Sequence, residues 1–85
     1  MNMKQAAAAV AAKQPFKANS CFAEQGSVYV VYSYGYHYPM LVYDGQWYEN
    51  EDRYSATTER HKSVLRPVAD TIKVSTARMK QLLEA

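Results

Sequence analysis

Two histidines are the side chains of this sequence best suited to proton transfer. His37 follows a run of tyrosines, and His61 lies between Arg60 and Lys62. Imidazole titrates near neutral pH, so two imidazoles beside a basic residue could act as the acid and base of RNA cleavage. Two histidines in 85 residues are also unremarkable. A ribonuclease-like toxin is therefore only the third functional hypothesis.

Other chemistry has weaker support in the sequence. Cys21 is the only cysteine, so no internal disulfide can form, which fits a reducing compartment. Cys21, His37 and His61 lack the paired spacing of zinc ligands. Cys21 or Ser55 as a nucleophile would need an oriented base and an oxyanion site, and no pattern indicates either. We therefore predict a chain without enzymatic activity, metal or cofactor.

Charge is segregated along the chain, although its net value is only +2. Acidic residues concentrate between positions 44 and 53, at Asp44, Glu49, Glu51 and Asp52. They do not follow calcium-loop spacing, and such a segment is either a solvated hairpin end, the rim of a protein interface or an imitation of a phosphate backbone. Basic residues follow, and they are the candidate nucleic-acid contacts: Arg60, Lys62, Arg66, Lys73, Arg78 and Lys80. The pI of about 8.7 is below that typical of a dedicated nucleic-acid-binding domain.

Tyrosines occupy the even positions 32, 34, 36 and 38. On one continuous strand they would line a single face. They could be the core and its rim, a protein-binding patch, or a stacking platform for single-stranded nucleic acid. No basic residue is interleaved with them, which disfavours the platform. For protein binding, the predicted aromatic anchors are Tyr36, Tyr38, Trp47 and Tyr48.

The elements that must position these residues begin and end with helices. Residues 2–13 are rich in alanine, Asn2 can cap them, and Pro15 prevents continuation. Residues 77–85 place Met79, Leu82 and Leu83 on one helical face after a possible cap at Ser75. Residues 68–74 also show helical spacing. No apolar run approaches the roughly 18 residues of a membrane span, so no membrane association is expected.

Between the helices, aromatic and β-branched residues predict strands. Residues 27–34 should be central, because both alternating faces carry apolar side chains. Residues 40–43 and 46–48 should form a hairpin through a two-residue type I′ turn at Asp44-Gly45. Residues 53–58 read as a short fourth strand or as the return of the third, residues 59–67 as a loop or helical turn, and residues 16–25 are ambiguous.

The predicted fold is a single α+β domain over residues 1–85. An antiparallel sheet of three to four strands, within residues 27–58, packs against the C-terminal helical region, residues 68–85. The N-terminal helix, residues 1–14, packs at the sheet edge or projects. One sheet face should be covered and the other partly open. Dimerisation or a partner would support so small a core.

The middle of the chain resembles small, mostly uncharacterised proteins of bacteriophages and mobile elements. In those proteins a VYSYG…P…VYD…W…N…YS-x-TT-x-x-H pattern recurs. The residues that carry the resemblance lie within positions 29–67 and are Val30-Val31-Tyr32-Ser33-Tyr34-Gly35, Pro39-Met40-Leu41-Val42-Tyr43-Asp44, Trp47-Tyr48, Asn50, Tyr54-Ser55, Thr57-Thr58, Arg60-His61 and Pro67. The resemblance supplies no catalytic residue.

The resemblance implies an accessory protein that acts in the host bacterial cytoplasm. Small accessory proteins of this kind commonly bind and block a host machine, as anti-CRISPR and anti-restriction inhibitors do. The first hypothesis is therefore a protein that inhibits or redirects a host protein or complex, with a defence system as the favoured target. The second is a small nucleic-acid-binding regulator that uses the basic residues, provided that they share one face.

Overall fold

A six-stranded sheet forms the middle layer of the molecule. The computed structural model describes residues 2–18, 20–53, 55–66 and 70–84. The strands lie side by side in chain order: β1 (Phe16–Lys17), β2 (Cys21–Gln25), β3 (Tyr29–Ser33), β4 (Pro39–Tyr43), β5 (Trp47–Asn50) and β6 (Thr71–Val74). Strands β1 to β5 pair antiparallel, and β6 pairs parallel with β5. The α+β class is confirmed, but the sheet is larger than predicted and mixed.

Three helices flank the sheet: α1 (Met3–Ala11), α2 (Ala56–Leu65) and α3 (Thr76–Glu84). Helix α1 starts at the predicted cap, where Asn2 and Gln5 exchange backbone–side-chain hydrogen bonds. At the start of α3, the Ser75 hydroxyl accepts a hydrogen bond from the Arg78 amide at 3.2 Å, as predicted. Among the described residues, no helix combines the length and apolar character needed to cross a membrane.

Strand β3 lies near the sheet centre and contributes to both hydrophobic layers. Tyr29 and Val31 belong to the core that includes α1 and Leu65 of α2. Val30 and Tyr32 point the other way, into a second core completed by side chains of α3. The predicted alternation is confirmed. Helix α1 packs against the edge strand β1 and against α2, and its Ala6 and Val10 are buried in that core, so it does not project.

The predicted fourth strand at residues 53–58 is wrong. The chain enters α2 there, because the Ser55 hydroxyl accepts a hydrogen bond from the Thr58 amide at 3.1 Å and caps the helix. Thr58 is fully buried and contacts the Ser33 hydroxyl at 3.0 Å. A cap and a tertiary contact thus outweigh the weak strand preference of threonine. Tyr54 lies outside the described residues.

The helical interpretation of residues 68–74 is also wrong where the structure describes them. Residues 71–74 form β6, whose backbone pairs with β5 from Trp47↔Thr71 to Asn50↔Val74. The free edge of β5 supplies partners that the local pattern cannot reveal, and the β-branched residues of this segment suit a strand. Two further residues of that prediction, Val68 and Ala69, lie outside the described residues.

Two connections also differ from the sequence interpretation. The ambiguous segment 16–25 forms β1 and β2, which extend the sheet beyond β3. The β4–β5 hairpin is confirmed, but Tyr43 pairs with Trp47, so the connection contains three residues. Only its Gly45 has a positive φ, at 75°, whereas a type I′ turn requires two such residues.

Candidate binding surface

The β3–β4 connection presents two exposed tyrosines. Tyr34 is 49% exposed and Tyr36 is 63% exposed, which makes them two of the large apolar side chains most open to solvent in the described part of the chain. Strand β3 ends at Ser33, so the two rings follow the last paired residue of a rigid strand. Large rings that are held on rigid backbone are typical anchors of protein interfaces.

Tyr34 holds an unfavourable backbone conformation. Its φ is 69°, in the left-handed region that a residue with a Cβ seldom occupies. The Gly35 amide donates to the Ser33 carbonyl at 2.9 Å across this residue, and the Tyr34 amide donates to the Ser20 carbonyl at 2.8 Å. The bond between Gly35 and Ser33, with the positive φ of Tyr34, defines a γ-turn of the rarer and more strained of its two types. Strain of this kind concentrates at functional sites, and this turn is therefore a candidate binding site.

Tyr36 extends an aromatic cluster on the sheet face that carries α3. Its ring meets those of Phe22 and Tyr32 edge to face, with centroid separations of 5.1 and 4.9 Å, and the latter two stack at 5.1 Å. The Tyr36 hydroxyl donates to a carboxylate oxygen of Glu24 at 2.5 Å. Phe22 is partly exposed and Tyr32 is buried. The cluster therefore fixes the Tyr36 ring while leaving most of it in solvent.

A network of hydroxyls and one imidazole lies beneath Tyr34. His61 is 6% exposed, and its Nε2 and Nδ1 lie 3.0 Å from the Ser20 hydroxyl and 3.2 Å from the Ser33 hydroxyl. The Tyr34 ring lies 6.0 Å from the imidazole. Burial lowers the pKa of His61, because no charged partner in the described structure offsets the desolvation. Through His61 the network joins α2 to Ser20 and Ser33, whose carbonyls accept the two backbone hydrogen bonds of the strained turn.

This arrangement occupies the nitrogens that acid–base chemistry would require. Both ring nitrogens of His61 lie within hydrogen-bonding distance of protein hydroxyls. His37 is exposed in the β3–β4 connection, whereas Cys21 is buried and burial raises its pKa. Within the described residues, no three side chains of the metal-binding types come together.

Two of the four predicted aromatic anchors are buried. Tyr38 is 3% exposed, and its hydroxyl donates to the carbonyl of Asp52. Trp47 is 6% exposed and packs edge to face against Tyr29 and Tyr43. Tyr48 is half-buried beside the core under α3. Of the predicted anchors, Tyr36 is therefore the one that the structure leaves mostly open to solvent.

The predicted acidic rim is divided. Glu49 is 3% exposed and accepts two hydrogen bonds from the Arg66 guanidinium, at 2.6 and 2.8 Å. Burial opposes its ionisation, but the Arg66 bonds and charge outweigh it and the pKa of Glu49 is lowered. Asp44 is exposed before β5, whereas Glu51 and Asp52 follow it, roughly 13 Å away along the strand. These carboxylates therefore do not form one surface.

The predicted basic set is divided as well. Lys62 is 4% exposed, and its amine contacts the carbonyls of Asn50 and Asp52 and, at 2.8 Å, the carboxylate of Glu59. Arg66 is engaged by Glu49, and Lys73 lies 3.6 Å from the same carboxylate. Arg60 is on α2, but Arg78 and Lys80 are on α3, across the sheet. The six basic residues do not share a face.

Phe22 and Glu24 of the candidate surface escaped the sequence analysis as binding residues, and Tyr34 was considered only as one of a series. Tyr34 belongs to the tyrosine series, and only its solvent exposure separates it from Tyr32 and Tyr38. Phe22 and Glu24 come from the segment that the sequence left ambiguous. Their alternation with buried Cys21 and Ala23 is the signal that could have revealed them, since it predicts a strand with one face turned outward.

Comparisons with known proteins identify no relative of this chain. No family model, no curated protein and no solved structure matches the chain. The resemblance to bacteriophage proteins therefore stays a prediction, and two of its residues, Tyr54 and Pro67, lie outside the described part of the chain.

Proposed function

We propose that this chain is a non-enzymatic phage or mobile-element protein that binds a host bacterial protein and inhibits or redirects it. A defence complex in the host cytoplasm is the preferred target, on the strength of the sequence resemblance. The observation that carries the binding function is the strained β3–β4 turn, which holds Tyr34 and Tyr36 in solvent.

The physical argument concerns what exposed tyrosines can contribute. A tyrosine ring offers a large contact area and loses little side-chain entropy on binding. Here the Tyr36 ring is already fixed by its neighbours and by Glu24, so ordering it in a complex costs less than ordering a free side chain. Tyr34 remains in an unfavourable conformation that a simpler turn would avoid. Both features suit a preorganised binding loop.

The nucleic-acid alternative lacks comparable support. It requires six basic side chains on one face, but Lys62 and Arg66 are engaged by acidic partners and α2 and α3 flank opposite sides of the sheet. We therefore retain protein binding as the proposal.

The test is affinity capture from bacterial lysate with a tagged chain, with and without nuclease. The bait variants are Tyr34→Ala and Tyr36→Ala, and the matched control is Ile72→Ala, an exposed apolar residue of β6 that is 42% exposed. We expect a stoichiometric, nuclease-resistant protein that both tyrosine variants lose and the control retains. Recovery of nuclease-sensitive ribosomal or chromosomal proteins, or equal capture by all variants, would reject the proposal.

A further inference from the structure

Two shallow grooves meet at Glu24 of β2. One, of about 320 Å³, runs beside β1 and β2 and is lined by Phe16, Lys17, Phe22, Ala23, Glu24 and Tyr36. The other, of about 160 Å³, lies between the β2–β3 hairpin and the end of α3 and is lined by Glu24, Gly26, Ser27, Val28, Val30, Tyr32 and Leu83. Glu24 is thus the wall that they share.

The second groove has a definite chemical character. Val28, Val30 and Leu83 give it an aliphatic floor, and Tyr32 adds an aromatic wall. Among the residues that the structure describes, Glu24 is the one charged side chain that lines it. An aliphatic channel that ends at a carboxylate and a ring is complementary to a long basic side chain, whose stem is apolar and whose head is cationic.

The Glu24 carboxylate is placed to receive such a head. Its Oε2 accepts the Tyr36 hydroxyl, and in the described part of the chain no hydrogen bond or ion pair reaches Oε1. Glu24 raises the pKa of Tyr36 through this bond and, after burial, contributes to the raised pKa of Tyr32. The negative charge therefore lies between two tyrosines, and their rings add a favourable surface for a cation.

We infer that this junction binds a basic side chain, preferably arginine, presented by the protein partner. The stem lies over Val28, Val30 and Leu83, and the guanidinium bonds Oε1 of Glu24 and stacks on the exposed ring of Tyr36. A planar guanidinium can do both at once, which an ammonium cannot. The inference rests on the proposed function, because the junction adjoins Tyr36. Phosphate-bearing ligands are disfavoured there, since they would approach a carboxylate.

A peptide titration of the isotope-labelled full chain tests the inference by nuclear magnetic resonance. The probe is acetyl-Gly-Arg-Gly-amide, and its matched control has citrulline, the neutral isostere, in place of arginine. We expect the arginine peptide to shift amide signals of residues 22–36 and of Leu83. Its affinity should fall about threefold to fivefold in Glu24→Gln and stay within about twofold in Glu51→Gln, a change at an exposed carboxylate elsewhere.

Several results would overturn the inference: equal binding by Glu24→Gln and the unsubstituted chain, equal binding of the citrulline peptide, or equally strong shifts around Asp44 and Glu51. Sedimentation of the free chain provides a further check, because a dimer that Glu24→Gln dissociates would make a second copy the occupant and reject a separate partner.

The two proposals can fail separately. If the tyrosine variants lose a captured host protein while Glu24→Gln keeps it, the inference fails and the proposed function stands. If the arginine peptide binds at Glu24 but no host protein is captured, the site stands and the proposed function fails.

Discussion

At the scale of single residues, His61 couples protonation to folding. It is a buried imidazole held by two serine hydroxyls, and burial places its pKa in the folded chain below the usual 6.5. The unfolded chain therefore binds more protons near this pH than the folded chain does. Stability from this residue is complete above about pH 6.5 and declines as the pH falls toward the folded-state pKa.

We predict that the free energy of unfolding decreases from about pH 7 to 5.5 and that His61→Gln removes this part of the slope. Urea denaturation at a series of pH values measures it. His37→Gln is the matched control, because it removes the other histidine of the chain, which is exposed. Parallel profiles for the parent and His61→Gln would show that His61 does not produce the dependence.

Tyr34 provides the second residue-scale prediction, which concerns backbone strain. Tyr34→Gly and Tyr34→Ala remove the same ring, but glycine accommodates a φ of 69° and alanine does not. We expect the glycine variant to be more stable than the alanine variant by about 1 kcal/mol, measured by urea denaturation. Both variants should lose partner binding. An alanine variant that matches the glycine variant would mean that the turn stores no strain.

At the scale of elements, one ion pair connects α2 to the sheet. Glu49 of β5 is 3% exposed and its carboxylate is bound by Arg66, just after the end of α2. Lys73 of β6 lies 3.6 Å from the same carboxylate. The Glu49 carboxylate thus contacts Arg66 before, and Lys73 after, the connection between α2 and β6.

Removing the guanidinium should therefore destabilise the fold. We expect Arg66→Met to lower the free energy of unfolding by about 2–3 kcal/mol, because a buried carboxylate loses its main partner. Arg60→Met is the matched control, an exposed arginine on α2, and should change stability by no more than about 0.5 kcal/mol. Thermal or urea unfolding measures the free energy of unfolding of both variants. An equal decrease in the two would show that the Arg66–Glu49 ion pair does not stabilise the fold.

At the scale of the whole molecule, the placement of charge determines which partners are feasible. The sheet separates Arg60 from Arg78 and Lys80, and neighbouring carboxylates engage Lys62 and Arg66. Few of the six predicted basic side chains can therefore reach one nucleic acid together. The exposed tyrosines, in contrast, lie on a single short connection, which favours one localised contact with a protein.

We predict weak and shallow salt dependence in any binding to nucleic acid. With about two cations acting together, the slope of log K against log salt for duplex DNA should be about −2 or shallower. Fluorescence anisotropy over a series of salt concentrations measures it. A slope near −5 would require the six predicted basic residues to act as one surface and would favour the regulator hypothesis.

Features that depend on local pattern could be predicted from the sequence. Caps at Asn2 and Ser75 start α1 and α3, and alternation of apolar residues assigns the two faces of β3. These features need only neighbours in the chain, whose spacing is visible in the sequence.

Other features could not be predicted from the sequence, because they depend on partners that are distant along the chain. Residues 71–74 became a strand through the free edge of β5, and Ser55 with Thr58 became the start of a helix that packs on Ser33. Burial likewise divided the tyrosines, placing Tyr38 inside and Tyr36 in solvent although both lie on the same predicted face. Which aromatic side chains can bind a partner is thus a property of packing, and alternation along a strand cannot specify it.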